Sequence, residues 1–410
     1  MKKIATATVL GASLCVSLPL VAEEMSDDHK TSMAEIIELL KLQQEEIEEL
    51  KEQLLKTNKK VDSSEAKITA TAMAAESAMV GGQGATASWT ERTHIGGYGE
   101  LHYNNNKNGK SDAVDNHRFV LFVEHEFTDD VRFVSEVELE HSIAGDGKSG
   151  EVEVEQAYIE WDYTRGQTAK IGQFLIPVGI MNETHEPDTF YGVERNPVEK
   201  NIVPATWWEA GVSFSGELAP GLSYDLAIHS GLETPTTGSK AFKIRDGRQK
   251  VSKATAEEFA YTARVKYKGI AGLELAASYQ YQEDIAQGMG ASKASATLLE
   301  GHAVYQCKSF TLRGLYAMWD VDGSEAKAAG RDEQDGWYLE PSYRFNSKIG
   351  FFARYSEWDN NAGDSSDTKI EQIDFGFNYW IVENVALKVD WADQQNGTGD
   401  SFNVGVGFSF

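Results

Sequence analysis

The feature that most limits the fold is a two-residue alternation of apolar and polar side chains, renewed stretch after stretch from Trp89 to the end of the chain. Phe119, Leu121 and Val123 alternate with Arg118, Val120, Phe122 and Glu124. Val131, Phe133, Val137 and Leu139 alternate with Arg132, Glu136, Glu138 and Glu140. Phe259 to Lys268 and Leu273 to Gln282 repeat the pattern with tyrosines on the apolar side. A period of two sends successive side chains to opposite faces of a strand. One face is apolar and aromatic and the other polar or charged, over about ten residues each time, which suits strands with lipid on one side and water on the other. A soluble sandwich also alternates, but its strands are shorter and its aromatic residues do not gather at the ends of the apolar faces.

Sixteen such stretches lie at about 91–103, 116–127, 130–142, 151–164, 167–175, 206–218, 221–230, 257–268, 272–283, 296–307, 308–319, 335–345, 347–358, 369–380, 383–393 and 400–410. The links after even-numbered stretches are short (TDD, RGQ, APG, KGIAG, CK, FNS, IVE), and those after odd-numbered ones are longer. Short turns alternating with long loops predict an all-β fold: a 16-stranded antiparallel transmembrane β-barrel in a bacterial outer membrane, with both chain ends in the periplasm. The last stretch puts Phe402, Val404, Val406, Phe408 and Phe410 on one face, like the sorting signal of outer-membrane proteins. Trp207-Trp208, Trp337-Tyr338 and Tyr379-Trp380 suit interfacial girdles. Pro341 fits poorly inside its stretch, because it removes a ladder hydrogen bond.

The residues before the barrel divide into three. MKK followed by an uncharged apolar run to Ala22 predicts a signal peptide over 1–22, against a membrane anchor as the other reading. Over 23–71, Met33, Leu40, Ile47, Leu54, Val61 and Ile68 recur every seven residues, which predicts a coiled coil in the periplasm. A single charged, solvated helix is the alternative. At ~1.5 Å per residue such a helix spans roughly 60 Å. The Gly/Ala/Ser-rich segment 72–88 reads as a linker to the barrel over 89–410. After signal cleavage only Cys307 remains, which excludes an intramolecular disulfide and is read as a packed residue. A net charge of −26, from 38 bases and 64 acids, excludes nucleic acid as a partner.

Sixteen strands enclose an aqueous channel. The polar faces carry Arg118, Arg132, Glu136, Glu138, Glu140, Arg264, Lys266, Arg313, Glu340, Arg344, Arg354 and Lys388, and charges that cannot meet lipid must meet water. The longest link, about 176–205, contains NETHEPDTFYGVERNPVEK, with Glu183, His185, Glu186, Asp188, Glu194, Arg195, Glu199 and Lys200. Five acids against Arg195 and Lys200 give it a net charge of −3. Pro177, Pro187, Pro197 and Pro204 stiffen this link. It is expected to fold inward, where its charges set the field at a constriction. The next long link, KAFKIRDGRQKVSK, sets Lys240, Lys243, Arg245, Arg248, Lys250 and Lys253 against Asp246, net +5. As an external loop it would concentrate anions at the mouth or contact lipopolysaccharide phosphates.

The run FLIPVGIMNETHEPDTFYGVERNPVEKNIVPATWWEAGV from Phe174, with IGGYGELHYN at 95–104 and HRFVLFVEHEF at 117–127, resembles the phosphate-selective porin O and P family. The likeness is to its members with an N-terminal coiled coil and covers the mature chain. It implies a homotrimer of barrels, each a constricted channel for passive diffusion of small hydrophilic solutes and ions. The family's phosphate selectivity depends on an arginine ladder and a lysine cluster. Here the acids of the third link and Glu136, Glu138 and Glu140 oppose such a ladder, so a general diffusion porin is the first reading and an anion- or phosphate-selective porin the alternative. A structural tether from outer membrane toward peptidoglycan, using the coiled coil, is a further alternative. No cofactor or metal is expected. His185-Glu186 lacks the partner four residues on that a helical zinc motif has, and His94, His102, His117 and His125 show no ligand spacing. No serine-histidine pair is identifiable, so no enzyme is expected.

Overall fold

The computed structural model describes residues 89–107, 111–395 and 399–410. The expected signal peptide, coiled coil and linker lie outside the described residues. Sixteen strands follow one another: β1 Thr93–Asn106, β2 Ala113–Glu126, β3 Val131–Glu140, β4 Val152–Thr164, β5 Gln167–Leu175, β6 Trp208–Ala219, β7 Leu222–His229 and β8 Ala260–Ile270. They continue with β9 Leu273–Gln282, β10 Ser295–Cys307, β11 Phe310–Asp322, β12 Glu333–Arg344, β13 Ile349–Asp359, β14 Ile370–Val382, β15 Val385–Gln395 and β16 Ser401–Ser409. Each pairs with its neighbours in sequence, and β16 pairs with β1 to close the barrel. All sixteen expected stretches are present, with ends moved by three residues or fewer.

Seven tight turns gather at one end, between 127–130 and 383–384, and the long loops at the other. Gly166, Gly221 and Gly272 close two-residue turns at φ +73°, +76° and +77°, a conformation that other residues rarely adopt. Outward positions such as Leu121, Val137, Ile171, Leu226, Val265, Leu339, Phe375 and Leu387 are exposed, while Arg118, Glu136, Arg264, Arg354 and Lys388 are buried inside the ring. The alternation therefore holds with the sides expected.

Two details correct the sequence reading, and two others fit it. Trp337-Tyr338 and Tyr379-Trp380 cannot face lipid as pairs, because adjacent strand residues point oppositely, and Trp207-Trp208 does not face lipid at all. Trp337 and Tyr379 are exposed, whereas Tyr338, Trp380, Trp207 and Trp208 are buried. Cys307 is exposed at the short-turn end rather than packed. Pro341 is tolerated because β12 keeps its ladder to β11, while the ladder to β13 passes from Leu339 to Ser342. The terminal strand is paired on both sides, as the expected barrel requires.

Candidate functional site

The third long loop, 176–207, crosses the barrel interior. Arg118 Nη2 donates to His185 O at 2.6 Å, Ser409 Oγ to Asp188 Oδ2 at 2.8 Å and Asn378 Nδ2 to Phe190 O at 3.0 Å. Asp390 Oδ2 accepts Val193 N–H at 2.6 Å, and Asn104 Nδ2 donates to Glu194 Oε1 at 3.0 Å. Trp319 Nε1 donates to Ile202 O at 2.9 Å, Tyr338 OH to Glu199 Oε1 at 2.7 Å, and Arg264 pairs with Glu183. Inward side chains of eight strands thus bind one loop, which only a loop inside the ring can satisfy. β16 makes room for it: a Cβ on Gly407 would lie 2.6 Å from Pro187 Cβ, and one on Gly405 would lie 3.0 Å from Val193.

The sequence of the loop explains its course. Asn196 Oδ1 accepts Val198 N–H at 2.8 Å and caps the short helix α1 (Pro197–Asn201), with proline at a first-turn position that needs no donor. Glu199, fully buried, accepts from Ile180 N–H at 2.8 Å and Met181 N–H at 2.6 Å as well as from Tyr338. Burial pushes its carboxyl up, against the pull of those three donors. Glu199 is a latch between the two arms of the loop, not a wall of the pore. His185 is also buried, between Glu136 and Glu155. Glu183, Asp188 and Glu194 each hold a wall residue, while Glu186, Arg195 and Lys200 keep some or all of their exposure.

The fourth long loop, 230–259, departs from expectation. Its basic run is not simply external, because Phe242 and Ile244 within it bury in an apolar cluster with Leu232, Ile285, Trp207 and Trp319. Gln334 Nε2 fastens this loop by donating to Phe242 O at 2.7 Å. Arg245 and Arg248 are drawn in behind them: Arg245 Nη1 donates to Ala205 O at 2.9 Å, and Arg248 donates to Thr206 O. Arg195 donates to Thr206 Oγ1 from the other side. Lys240 and Lys253 remain exposed, Lys243 is half-buried, and Lys250 bridges Glu151 and Glu153.

Two classes of cation result. On the wall, Arg118 pairs with Glu100, Arg132 with Asp162 and Glu160, Arg264 with Asp225, and Arg354 with Glu340 and Asp374 at 3.1 Å each. Arg313 lies 3.8 Å from Glu340, and Arg344 stacks 3.9 Å from the Trp380 ring centroid. Arg195, Lys200, Arg245 and Arg248, like Arg344 and Lys388 on the wall, have no carboxylate within ion-pair distance among the described residues. Burial, then the charges of Arg248 and Arg195, pull the Arg245 guanidinium down to about 9.

Histidines that look scattered in sequence meet where β1, β2 and the end of β3 run side by side. The His102 and His117 rings stack at 4.5 Å, and Asp115 accepts from His141 at 2.8 Å. Antiparallel pairing, not linear spacing, brings them together. Glu155 was missed as well. Its signal is the adjacent pair Glu155-Gln156, which breaks an otherwise regular alternation.

A family model for Gram-negative porins matches residues 66–399. The chain belongs to the Gram-negative porins. The porin is 31% identical over 326 residues to an uncharacterized protein of Aquifex aeolicus (strain VF5), covering 72% of this chain and 74% of that one. Its fold is similar to that of OmpF of Salmonella typhi, solved in complex with daunomycin, at TM-score 0.56 and 14% identity, over 78% of this chain and 97% of that one. It is also similar to the outer membrane channel DcaP of Acinetobacter baumannii, at TM-score 0.54 and 14% identity, with the same coverage. The anion-selective porin from Comamonas acidovorans matches at TM-score 0.54 and 13% identity, over 78% and 99% of the two chains. These likenesses carry the fold alone. With the family and the closed barrel together, the porin is an outer-membrane channel for passive diffusion.

Proposed function

We propose that the third loop is the constriction of a general diffusion channel for small hydrophilic solutes and ions, with a weak preference for anions. The observation that carries the preference is the collar of Arg195, Lys200, Arg245 and Arg248, which have no carboxylate within ion-pair distance among the described residues. Paired wall arginines contribute little net field, so four unpaired cations where the third and fourth loops meet dominate locally. The acids Glu183, Asp188 and Glu194 are engaged with Arg264, Ser409 and Asn104, which reduces their opposition. Chloride, phosphate and small organic anions are the class this field favours. The resemblance to phosphate-selective porins fits the same collar, as a narrower version of this reading.

Reversal potential in a salt gradient across a planar bilayer is the test. Expected is a modest anion preference that falls to none or reverses in Arg245→Gln/Arg248→Gln. A strongly cation-selective wild type, or a double variant with unchanged reversal potential, overturns the reading. Adding phosphate to the chloride bath separates the narrower version, because a phosphate selector would lose chloride current at low phosphate.

Cleavage after residue 22, a periplasmic coiled coil over 23–71 and a homotrimer belong to the same proposal. A solved Vibrio cholerae outer membrane protein of similar fold (TM-score 0.54, 10% identity) is described as a trimer form, which supports the last. Lys240 and Lys253, exposed in the fourth loop, are suited to lipopolysaccharide phosphates.

A further inference from the structure

β4 carries a bulge opposite β3. Glu136 pairs with Gln156 and Val137 with Val154, so Glu155 is the extra residue. A bulge lets two consecutive side chains point the same way. Glu155 and Gln156 both turn inward here: Glu155 is buried, and Gln156 Nε2 donates to Glu136 Oε2 at 2.7 Å. His185 of the third loop descends onto this spot. Its Nε2 lies 3.5 Å from Glu136 Oε1 and 3.3 Å from Glu155 Oε2.

We propose that His185 Nε2, Glu136 and Glu155 bind one first-row divalent cation of the zinc type, which fastens the third loop to the wall of the barrel. Metal–ligand bonds of ~2.1 Å at tetrahedral angles hold donor atoms roughly 3.4 Å apart, and the two measured separations bracket that value. One ligand atom from each of the three residues lies within 4.8 Å of the others. His185 Nε2 and Glu155 Oε2 are buried and accept or donate no hydrogen bond, and neither does Glu138 Oε2 from the same face of β3. Buried polar atoms without partners are costly, and a cation would satisfy them together. His185 Nδ1 lies 3.2 Å from Asn182 O, so Nδ1–H donates to that carbonyl and Nε2 is the ring atom left facing Glu136 and Glu155. Glu136 is likewise oriented, accepting from Tyr98 OH at 3.1 Å and from Gln156. Arg118 is committed to Glu100 at 2.5 Å, so the buried Glu136 and Glu155 share the one imidazole of His185. An imidazole in the donor set favours zinc-type ions over calcium, which prefers oxygen alone.

The experiment is a Co2+ titration of the full-length, chelator-washed protein in detergent, followed by visible absorption and Zn2+ competition. It is run on an Asp115→Asn background, which removes the carboxylate shared by His117 and His141 and so silences the other cluster of potential ligands. Expected is one Co2+ per chain, displaced by Zn2+, with affinity lowered on the order of tenfold or more in Glu155→Gln and His185→Ala, and comparably in Gln156→Leu, which removes only the orienting donor. Absence of a one-per-chain site, or a site indifferent to both ligand changes, overturns the proposal. Should a variant fail to fold, judged by the heat-modified mobility of the barrel, crystals of the wild type soaked in Zn2+ decide. An anomalous peak among the three side chains supports the site and its absence refutes it. The inference does not depend on the anion preference, which the reversal potential reads separately.

Discussion

At the scale of the residue, what decides a charge's role is its partner. Glu199 and Glu186 are the same residue type thirteen positions apart, but Glu199 is sealed under two backbone donors and a tyrosine while Glu186 is half-exposed. Removing the Glu199 acceptor leaves buried N–H groups unpaired, at about 1–3 kcal/mol each. Glu199→Ala should therefore free the third loop without opening the barrel, read as new protease cleavage within 176–207 while heat-modified mobility persists. Glu194 gives a pH-dependent case. Partial burial would raise its carboxyl, but the hydrogen bond and charge of His102, then Lys200, hold it well below the usual carboxylate range. A carboxyl depressed in the folded state stabilises above its unfolded value of about 4.3 and loses that contribution as pH falls toward the folded one. The stability difference between wild type and Glu194→Gln should be full at pH 7 and shrink as the pH is taken below about 4. Thermal unfolding at several pH values checks this, and a difference constant down to pH 3 would refute it.

At the scale of the element, the strands were legible because membrane burial imposes a strict period of two, and a one-residue slip would reverse every face. The sixteen ladders and the inward placement of Arg118, Glu136, Glu138, Arg264 and Arg354 follow from that period alone. Loops have no period. Nothing in KAFKIRDGRQKVSK says that Phe242 and Ile244 will find Leu232 and Trp319 and pull Arg245 and Arg248 inside with them. Composition made that loop look external, whereas two apolar residues decided its course. The glycines of β16 are intermediate. Their alternation with Val404, Val406 and Phe408 is visible in sequence, but the loop that needs their missing side chains is not. Gly407→Val should meet Pro187 directly and displace the third loop, at roughly 1–3 kcal/mol for overpacking. Single-channel recordings should then show an altered conductance from a barrel that still folds. An unchanged conductance would mean that this part of the loop does not set the aperture.

At the scale of the whole molecule, the channel and the N-terminal segment are separable on physical grounds. Every strand edge in 89–410 is satisfied within one chain, since β1 and β16 close the ring. The loop inside it is held by that same chain's wall. The lumen therefore needs no partner for its shape, and residues 23–88 should be dispensable for conduction. Their heptads point instead to association and to reach from the membrane, because an apolar seam recurring every seven residues is buried only against other helices. A protein lacking 23–88 should keep the single-channel conductance and reversal potential of the full chain. The intact protein should migrate as a trimer in mild detergent, with current rising in three equal steps, one per barrel. A truncated protein that conducts in the same unit steps but dissociates more readily would assign assembly to the heptads and conduction to the barrel. Monomers from both proteins would remove the trimer, and loss of current on truncation would show that the N-terminal segment shapes the pore.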